Sequence, residues 1–362
     1  PLAPGSKRWW TSAPYEGREG TGEGSDVEYV SFGRAGIKVS RLALGLGLRG
    51  QSDETAAEQL TYAALDSGIN LFDCANVYGL MDDRAYAGRS EVILGRALKR
   101  RRDEVVITSK VCSAIGNGPN DAGGSRYHIM REVERSLQRL ATDRIDIYLL
   151  HAFDAATPLE EQLRALDDLV HQGKVRYVGV CNYAAWQVCQ ALWVQDRLAA
   201  APLITVQNPY SLLNRDLERE MFPLVRALGI GVMVYAPLGT GLLSGAYRPG
   251  VAPSPGTLWA GNRRLGYERT MHGPAAGIVT TLQQVVERCG ATMAQVALRW
   301  VLAQPEVTVA ISGADTALQL QENVGALDVE VAPDDLAELS RVSAGLDLIL
   351  DGPGIGPEFT CP

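Results

Sequence analysis

Eight short apolar runs, nearly every one followed by a stretch of helical periodicity, constrain this chain more than any other feature. The runs lie at 40–46, 70–74, 105–110, 145–150, 175–181, 203–207, 231–235 and 307–311. They are apolar at successive rather than alternate positions, as expected of strands covered on both faces. Helical patterns fall between them at 53–66 (capped by Asp53 or Ser52), 90–100, 126–140, 159–172, 184–199, 215–228 and 276–304. This alternation predicts an α/β fold, a (β/α)8 TIM barrel, whose usual ~250 residues leave room here for additions. The additions are an N-terminal β-hairpin at 27–39, turning at Gly33 to Gly36 and lying across the barrel bottom, and two long rim loops at 113–125 and 236–274. The longer loop is rich in Gly and Pro and reads as a lid. Residues 1–26 read as a mobile arm, 27–346 as the barrel and 347–362 as a C-terminal tail.

The strand ends carry the chemistry. Asp73 closes the second run with Tyr78 five residues on, Lys110 closes the third, and His151 follows the fourth. In a parallel barrel these ends share the rim on which such barrels do chemistry. Taken singly, Asp73 reads as a turn residue, Lys110 as a solvated strand end, Tyr78 as a half-buried aromatic and His151 as a structural histidine. Their joint placement overrides those readings.

Composition narrows the function classes. A net charge of -8 and a pI near 5.2, with no basic run longer than 99–102, argue against a nucleic-acid or anionic-membrane surface. No segment approaches the ~18 apolar residues of a membrane span. The six cysteines form no C-x-x-C pair and sit mostly in apolar runs, so they read as reduced, buried residues of a cytoplasmic protein. His128, His171 and His272 show no ligand spacing and read as surface residues; no metal is expected. Trp186, Trp193 and Trp300 read as core.

With Asp73, Tyr78, Lys110 and His151 in place, the chain resembles the aldo-keto reductases, whose catalytic tetrad has these residue types in this order. The likeness extends through 173–182 (GKVRYVGVCN), 206–210 (VQNPY), 235–245 (YAPLGTGLLSG) and 319–323 (QLQEN). The insertion ending in GGSR and the run SLLNR resemble the branch of bacterial glyceraldehyde-phosphate-type reductases and potassium-channel beta subunits. The resemblance implies hydride transfer between a nicotinamide and a carbonyl or alcohol. Tyr78 would be the general acid or base. A phenol with pKa near 10 is a poor proton donor at neutral pH unless shifted, so Lys110 is expected to lower it, Asp73 to hold Lys110 and His151 to orient the carbonyl oxygen.

The same resemblance implies the cofactor contacts. Asn182 and Gln207 would hold the carboxamide and Tyr235 would stack on the nicotinamide. Cys181 stands where serine is usual, and a thiol is a weaker hydrogen-bond partner. Gly45, Leu46 and Asp73 would border the site, and Ala236, Pro237, Leu238, Gly239, Thr240 and Gly241 would meet the pyrophosphate. Gly313, Asp315, Gln319, Glu322 and Asn323 would surround the adenosine. The positions that usually meet a 2'-phosphate read Ala246, Leu258 and Asp315. Two cations are missing and a carboxylate is added, so NAD(H) is expected over NADP(H), unless Arg263 or Arg264 compensates.

Arg49, Tyr127, Phe153, Trp259 and Tyr267 fall on rim loops and are candidate substrate-pocket residues. The aromatic lid suggests a sugar, a glycoside or a bulky secondary alcohol or ketone. Two rivals remain at this level. One is a redox-sensing regulatory subunit that binds nicotinamide and turns over slowly. The other is a barrel lyase or isomerase using 238–245 and 311–314 as phosphate loops.

Overall fold

The computed structural model describes residues 27–255, 257–260 and 263–348; the expected N-terminal arm and the tail beyond 348 lie outside the described residues. Strands β1 (Tyr29–Ser31) and β2 (Lys38–Ser40) pair antiparallel as the expected hairpin. Eight parallel strands then close a barrel: β3 (Leu42–Gly45), β4 (Leu71–Asp73), β5 (Val106–Val111), β6 (Ile145–Leu150), β7 (Val175–Cys181), β8 (Leu203–Pro209), β9 (Gly231–Tyr235) and β10 (Val309–Ser312), with β10 pairing back onto β3. Every strand predicted from the sequence is present.

Strand periodicity divides the core in two. Ala43, Leu71, Ile147, Leu149, Met233, Val309 and Ile311 fill the barrel interior, while Leu42, Leu44, Phe72, Ile107, Tyr148, Leu150, Val178, Val180 and Val232 pack outward against helices. The hairpin plugs the lower end, with Phe32 and Val39 fully buried against the interior layer. Its turn needs Gly33: φ is +58°, and an added Cβ would lie 2.5 Å from the Gly231 backbone nitrogen.

The outer ring contains α1 (Glu54–Asp66), α2 (Arg89–Leu98), α3 (Arg126–Leu140), α4 (Leu159–His171), α5 (Ala185–Leu198) and α6 (Met221–Leu228). After the lid helix α7 (Arg264–Met271) come α8 (Pro274–Cys289), α9 (Met293–Leu302), α10 (Ala317–Gly325) and α11 (Pro333–Val342). Asp53 caps α1 by accepting from the Thr55 N–H at 2.8 Å. At Gly95, α2 comes so close to α3 that a Cβ would sit 2.5 Å from the Leu140 carbonyl oxygen. Gly95→Ala should therefore lower the unfolding free energy by about 1–3 kcal/mol, measured as an earlier urea midpoint; an unchanged midpoint would contradict this packing.

Several helical expectations need correction. The pattern at 215–228 is a 3-10 turn (Asp216–Glu218) followed by α6, because a continuous helix would drive the Pro223 ring into the carbonyl four residues earlier. The pattern at 276–304 is two helices. Gly290 at φ +70° ends α8, and a Thr292–Gln295 capping box starts α9. The lid holds a helix that glycine and proline content concealed, and α10 and α11 were not foreseen. Trp186 and Trp193 are 58% and 60% exposed on α5, and only Trp300 of the three is core. Cys189 is likewise exposed. His128 is buried, its ring against the Asn120 carbonyl, where a surface position was expected.

Candidate active site

Period-two alternation carries inward-pointing positions up each strand to the C-terminal rim. Asp73 stands two residues beyond Leu71 on β4, and Thr108 and Lys110 stand two and four beyond Val106 on β5. Lys110 is 0% exposed, an extreme position for an ammonium group. It donates to Asp73 Oδ2 at 2.7 Å and to the Cys74 carbonyl at 3.0 Å. The other Asp73 oxygen accepts from the Thr108 hydroxyl and from Gln207 Nε2, the latter at 2.8 Å. A buried charge needs this degree of pairing to persist. Burial depresses the Lys110 pKa, but Asp73, with Tyr78 and Cys181 adding to it, outweighs burial and raises it above the ordinary lysine value.

The Lys110 ammonium lies over the Tyr78 ring, 4.6 Å from its centroid. Tyr78 OH is 3.3 Å from His151 Nε2, and the two rings meet edge to face at 5.6 Å. Here one expectation is corrected. Lys110 does pull the Tyr78 pKa down, but desolvation is larger and pushes it up to about 12. His151 moves the other way. Burial, with Lys110 and Arg84 nearby, takes it well below 6.5, so the imidazole is neutral.

A second cluster adjoins the first. Tyr235 OH donates to Asn182 Oδ1 at 2.7 Å, Asn182 Nδ2 donates to the His151 carbonyl at 3.0 Å, and the Cys181 thiol lies 3.5 Å from Gln207 Oε1. The Cys181 thiol is itself buried and its pKa is pushed up to about 12, which suits packing and not redox chemistry. Leu46 N–H donates to the Asp73 carbonyl at 2.8 Å, and Gly45 pairs with Asp73 in the ladder, so both lie beside Asp73.

The loop after β9 is a series of tight turns. Ala236, Gly239, Thr240 and Gly241 all have positive φ, at 52°, 56°, 55° and 89°, and the Gly239 and Gly241 N–H groups donate to the Ala236 and Leu238 carbonyls at 2.9 and 3.1 Å. Among the described residues the buried Thr240 hydroxyl has no hydrogen-bond partner, and a buried orphan of this kind fits a polar ligand such as a pyrophosphate. After β10, Asn323 Nδ2 donates to the Gly313 carbonyl at 3.1 Å, and Gln319 Oε1 accepts from the Asp315 N–H at 2.7 Å. The Asp315 carboxylate lies against the Gly50 backbone, and Gln51 Nε2 donates to the Asp315 carbonyl at 3.2 Å, so this loop touches the one after β3. Glu322 is half-buried and Gln319 exposed on α10.

The expected substrate-pocket residues have different surroundings. Trp259 and Tyr267 are each 1% exposed and serve as struts of the lid: Trp259 Nε1 donates to the Thr240 carbonyl at 2.9 Å, and Tyr267 OH to the carbonyls of Arg248 and Val251 at 2.8 and 2.7 Å. Their polar tips satisfy lid backbone, which is why they face inward. Tyr127 is 63% exposed on α3 beside Arg131. Phe153 packs edge-on against Tyr183 and Trp186. Arg49 is half-buried at the rim and, like Arg263, acts electrostatically on Asp82.

Residues missed in the sequence lie directly behind these. The fully buried Glu91 accepts from Ser109 Oγ and Arg139 Nε, both at 2.6 Å. Glu132, also fully buried, accepts from Arg135 at 2.8 Å and from Asn76 Nδ2 at 3.3 Å, fastening the segment between Asp73 and Tyr78 to α3. Thr108 was legible in principle, since it shares an inward face with Lys110; the pairing across α2 and α3 left no local trace.

The comparisons with known proteins now decide the family. A model described as the aldo/keto reductase family matches residues 41–344. This chain is an aldo/keto reductase. It is 36% identical over 327 residues to the uncharacterized oxidoreductase YrpG of Bacillus subtilis (strain 168), covering 88% of this chain and 97% of that protein. It is 34% identical over 309 residues to probable voltage-gated potassium channel beta subunits of Arabidopsis thaliana and of Oryza sativa subsp. japonica, in each case covering 84% of this chain and 92% of the relative. The family assignment makes the chain a nicotinamide-dependent oxidoreductase in outline. In this aldo/keto reductase no described helix is long and apolar enough to cross a membrane.

Proposed function

We propose that this aldo/keto reductase interconverts an aldehyde or ketone and an alcohol, with Tyr78 as general acid for reduction and general base for oxidation. The observation that carries the reading is the buried Asp73–Lys110 pair beneath the Tyr78 ring, with His151 Nε2 3.3 Å from the Tyr78 hydroxyl. Asn182, Gln207, Tyr235 and the 236–241 loop would hold a nicotinamide, which when bound would supply or accept the hydride. The protein's own groups do the rest. A carbonyl oxygen seated between Tyr78 and His151 meets two donors, and the developing alkoxide takes the Tyr78 proton while the Lys110 charge stabilises the phenolate left behind. In the oxidative direction the phenolate accepts the alcohol proton. The buried setting keeps these charges strong by excluding water.

Ala246, Leu258 and Asp315 favour NAD(H) over NADP(H), because a 2'-phosphate near Asp315 would find a like charge and none of the expected cations. Titration followed by nicotinamide fluorescence tests this directly. NADH should bind at least about tenfold more tightly than NADPH, and Asp315→Ser should narrow the gap by about tenfold. Tighter NADPH binding in the unmodified protein would refute the preference. The lid and its length favour a sugar, a glycoside or a bulky secondary alcohol or ketone as substrate, and a panel of these with either nucleotide tests the reaction itself. The relatives named as channel beta subunits support a second reading, a regulatory subunit with slow turnover. Turnover against the panel at ordinary enzymatic rates would exclude it.

A further inference from the structure

Strand β5 breaks its own alternation one residue after it ends. Lys110 points into the barrel and Val111 out of it, so regular pleating would turn Cys112 inward and Ser113 outward. Instead Cys112 is fully buried in the outer core at φ +98°, a left-handed region that non-glycine residues rarely adopt. Its carbonyl is fixed by the Gly123 N–H at 2.8 Å. The kink inverts the parity, and Ser113 swings to the active site, where its Oγ stands 3.1 Å from His151 Nδ1. Backbone strain of this kind persists where the surroundings hold it for a purpose.

The purpose follows from the chemistry of a neutral imidazole, which carries hydrogen on one nitrogen only. If Nδ1 bears it, that nitrogen donates to Ser113 and Nε2 becomes an acceptor facing Tyr78, drawing the phenol proton away from a substrate. If Ser113 donates to Nδ1, Nε2 bears the hydrogen, and His151 and Tyr78 are both donors toward an oxygen placed between them. We propose that Ser113, delivered by the left-handed turn at Cys112, is a positioning residue that holds His151 as the Nε2–H tautomer. The choice of tautomer rests on the carbonyl–alcohol reading above, whereas its measurement does not depend on turnover.

Nitrogen NMR on protein labelled at histidine tests it. There are only four histidines, and His151→Asn identifies the resonance of interest. The unmodified protein should show hydrogen on Nε2 and a bare Nδ1. Ser113→Ala should shift His151 toward the other tautomer and lower kcat for carbonyl reduction by about tenfold, with nucleotide affinity unchanged. Ser113→Thr, which keeps the hydroxyl, should restore both. Hydrogen on Nδ1 in the unmodified protein would overturn the proposal even if Ser113→Ala failed to fold, and so would an alanine variant whose His151 tautomer did not change. Loss of the carbonyl reading with Nε2–H intact would count against that reading and leave the role of Ser113 standing.

Discussion

Replacing Asp73 with alanine should cost the chain about 3–5 kcal/mol of folding stability and all measurable turnover. The penalty comes from what remains. Lys110 is left as a fully buried cation with the Cys74 carbonyl as its remaining strong acceptor, and the Thr108 hydroxyl and the Gln207 amide lose theirs. Urea unfolding with an unchanged m value would measure it. The pair is nonetheless not a device for stability. Removing both charges in Asp73→Leu/Lys110→Met should recover most of the loss while activity stays absent, because well-packed apolar groups replace a buried ion pair at little cost. A single-variant penalty below about 1 kcal/mol would mean that the two groups are not coupled as described. The Lys110 pKa is raised on folding, so its contribution is complete below the ordinary lysine value of 10.5 and is lost only as the pH climbs through the higher folded value.

Tyr78→Phe should reduce turnover by about a thousandfold and leave nucleotide affinity within about twofold, because it removes one hydroxyl from the proposed proton path and little else. The pH dependence carries the same argument. With the Tyr78 pKa pushed up to about 12, the phenol keeps its proton throughout the neutral range, so carbonyl reduction should be nearly flat between about pH 6 and 9. Alcohol oxidation needs the phenolate, whose fraction grows about tenfold per pH unit below that pKa, so its rate should climb over the same range. His151 is already neutral and adds no inflection near 6.5. A phenylalanine variant that retained full turnover would remove Tyr78 from the mechanism. A falling oxidation rate with rising pH would remove its role as base.

Much of this was legible in order along the chain. The barrel was, because eight apolar runs apolar on both faces have few other ways to be covered, and each run reports its own burial locally. Three site residues at strand ends and Tyr78 five positions on were legible because strand direction alone brings them to one rim. Helix boundaries were less so. Gly290 and the Thr292–Gln295 box are readable punctuation, yet the apolar periodicity ran straight through them. Trp186 and Trp193 misled because large aromatics at helical spacing mark a face of α5 without saying what covers it.

By itself the sequence determined the architecture, the inward register of Asp73 and Lys110, and the order of groups at the rim, since these follow from period-two alternation and parallel strands. Only the tertiary structure decided their properties. The Tyr78 pKa is a balance between burial and the Lys110 charge, and neither magnitude exists until the site closes. Trp259 and Tyr267 became lid struts because carbonyls 16 to 19 residues away in the chain needed donors. Ser113 reached His151 only because one residue took a positive φ and reversed a parity that the sequence pattern would have extended. Such outcomes depend on distances between segments far apart in sequence, and a linear pattern does not contain those distances.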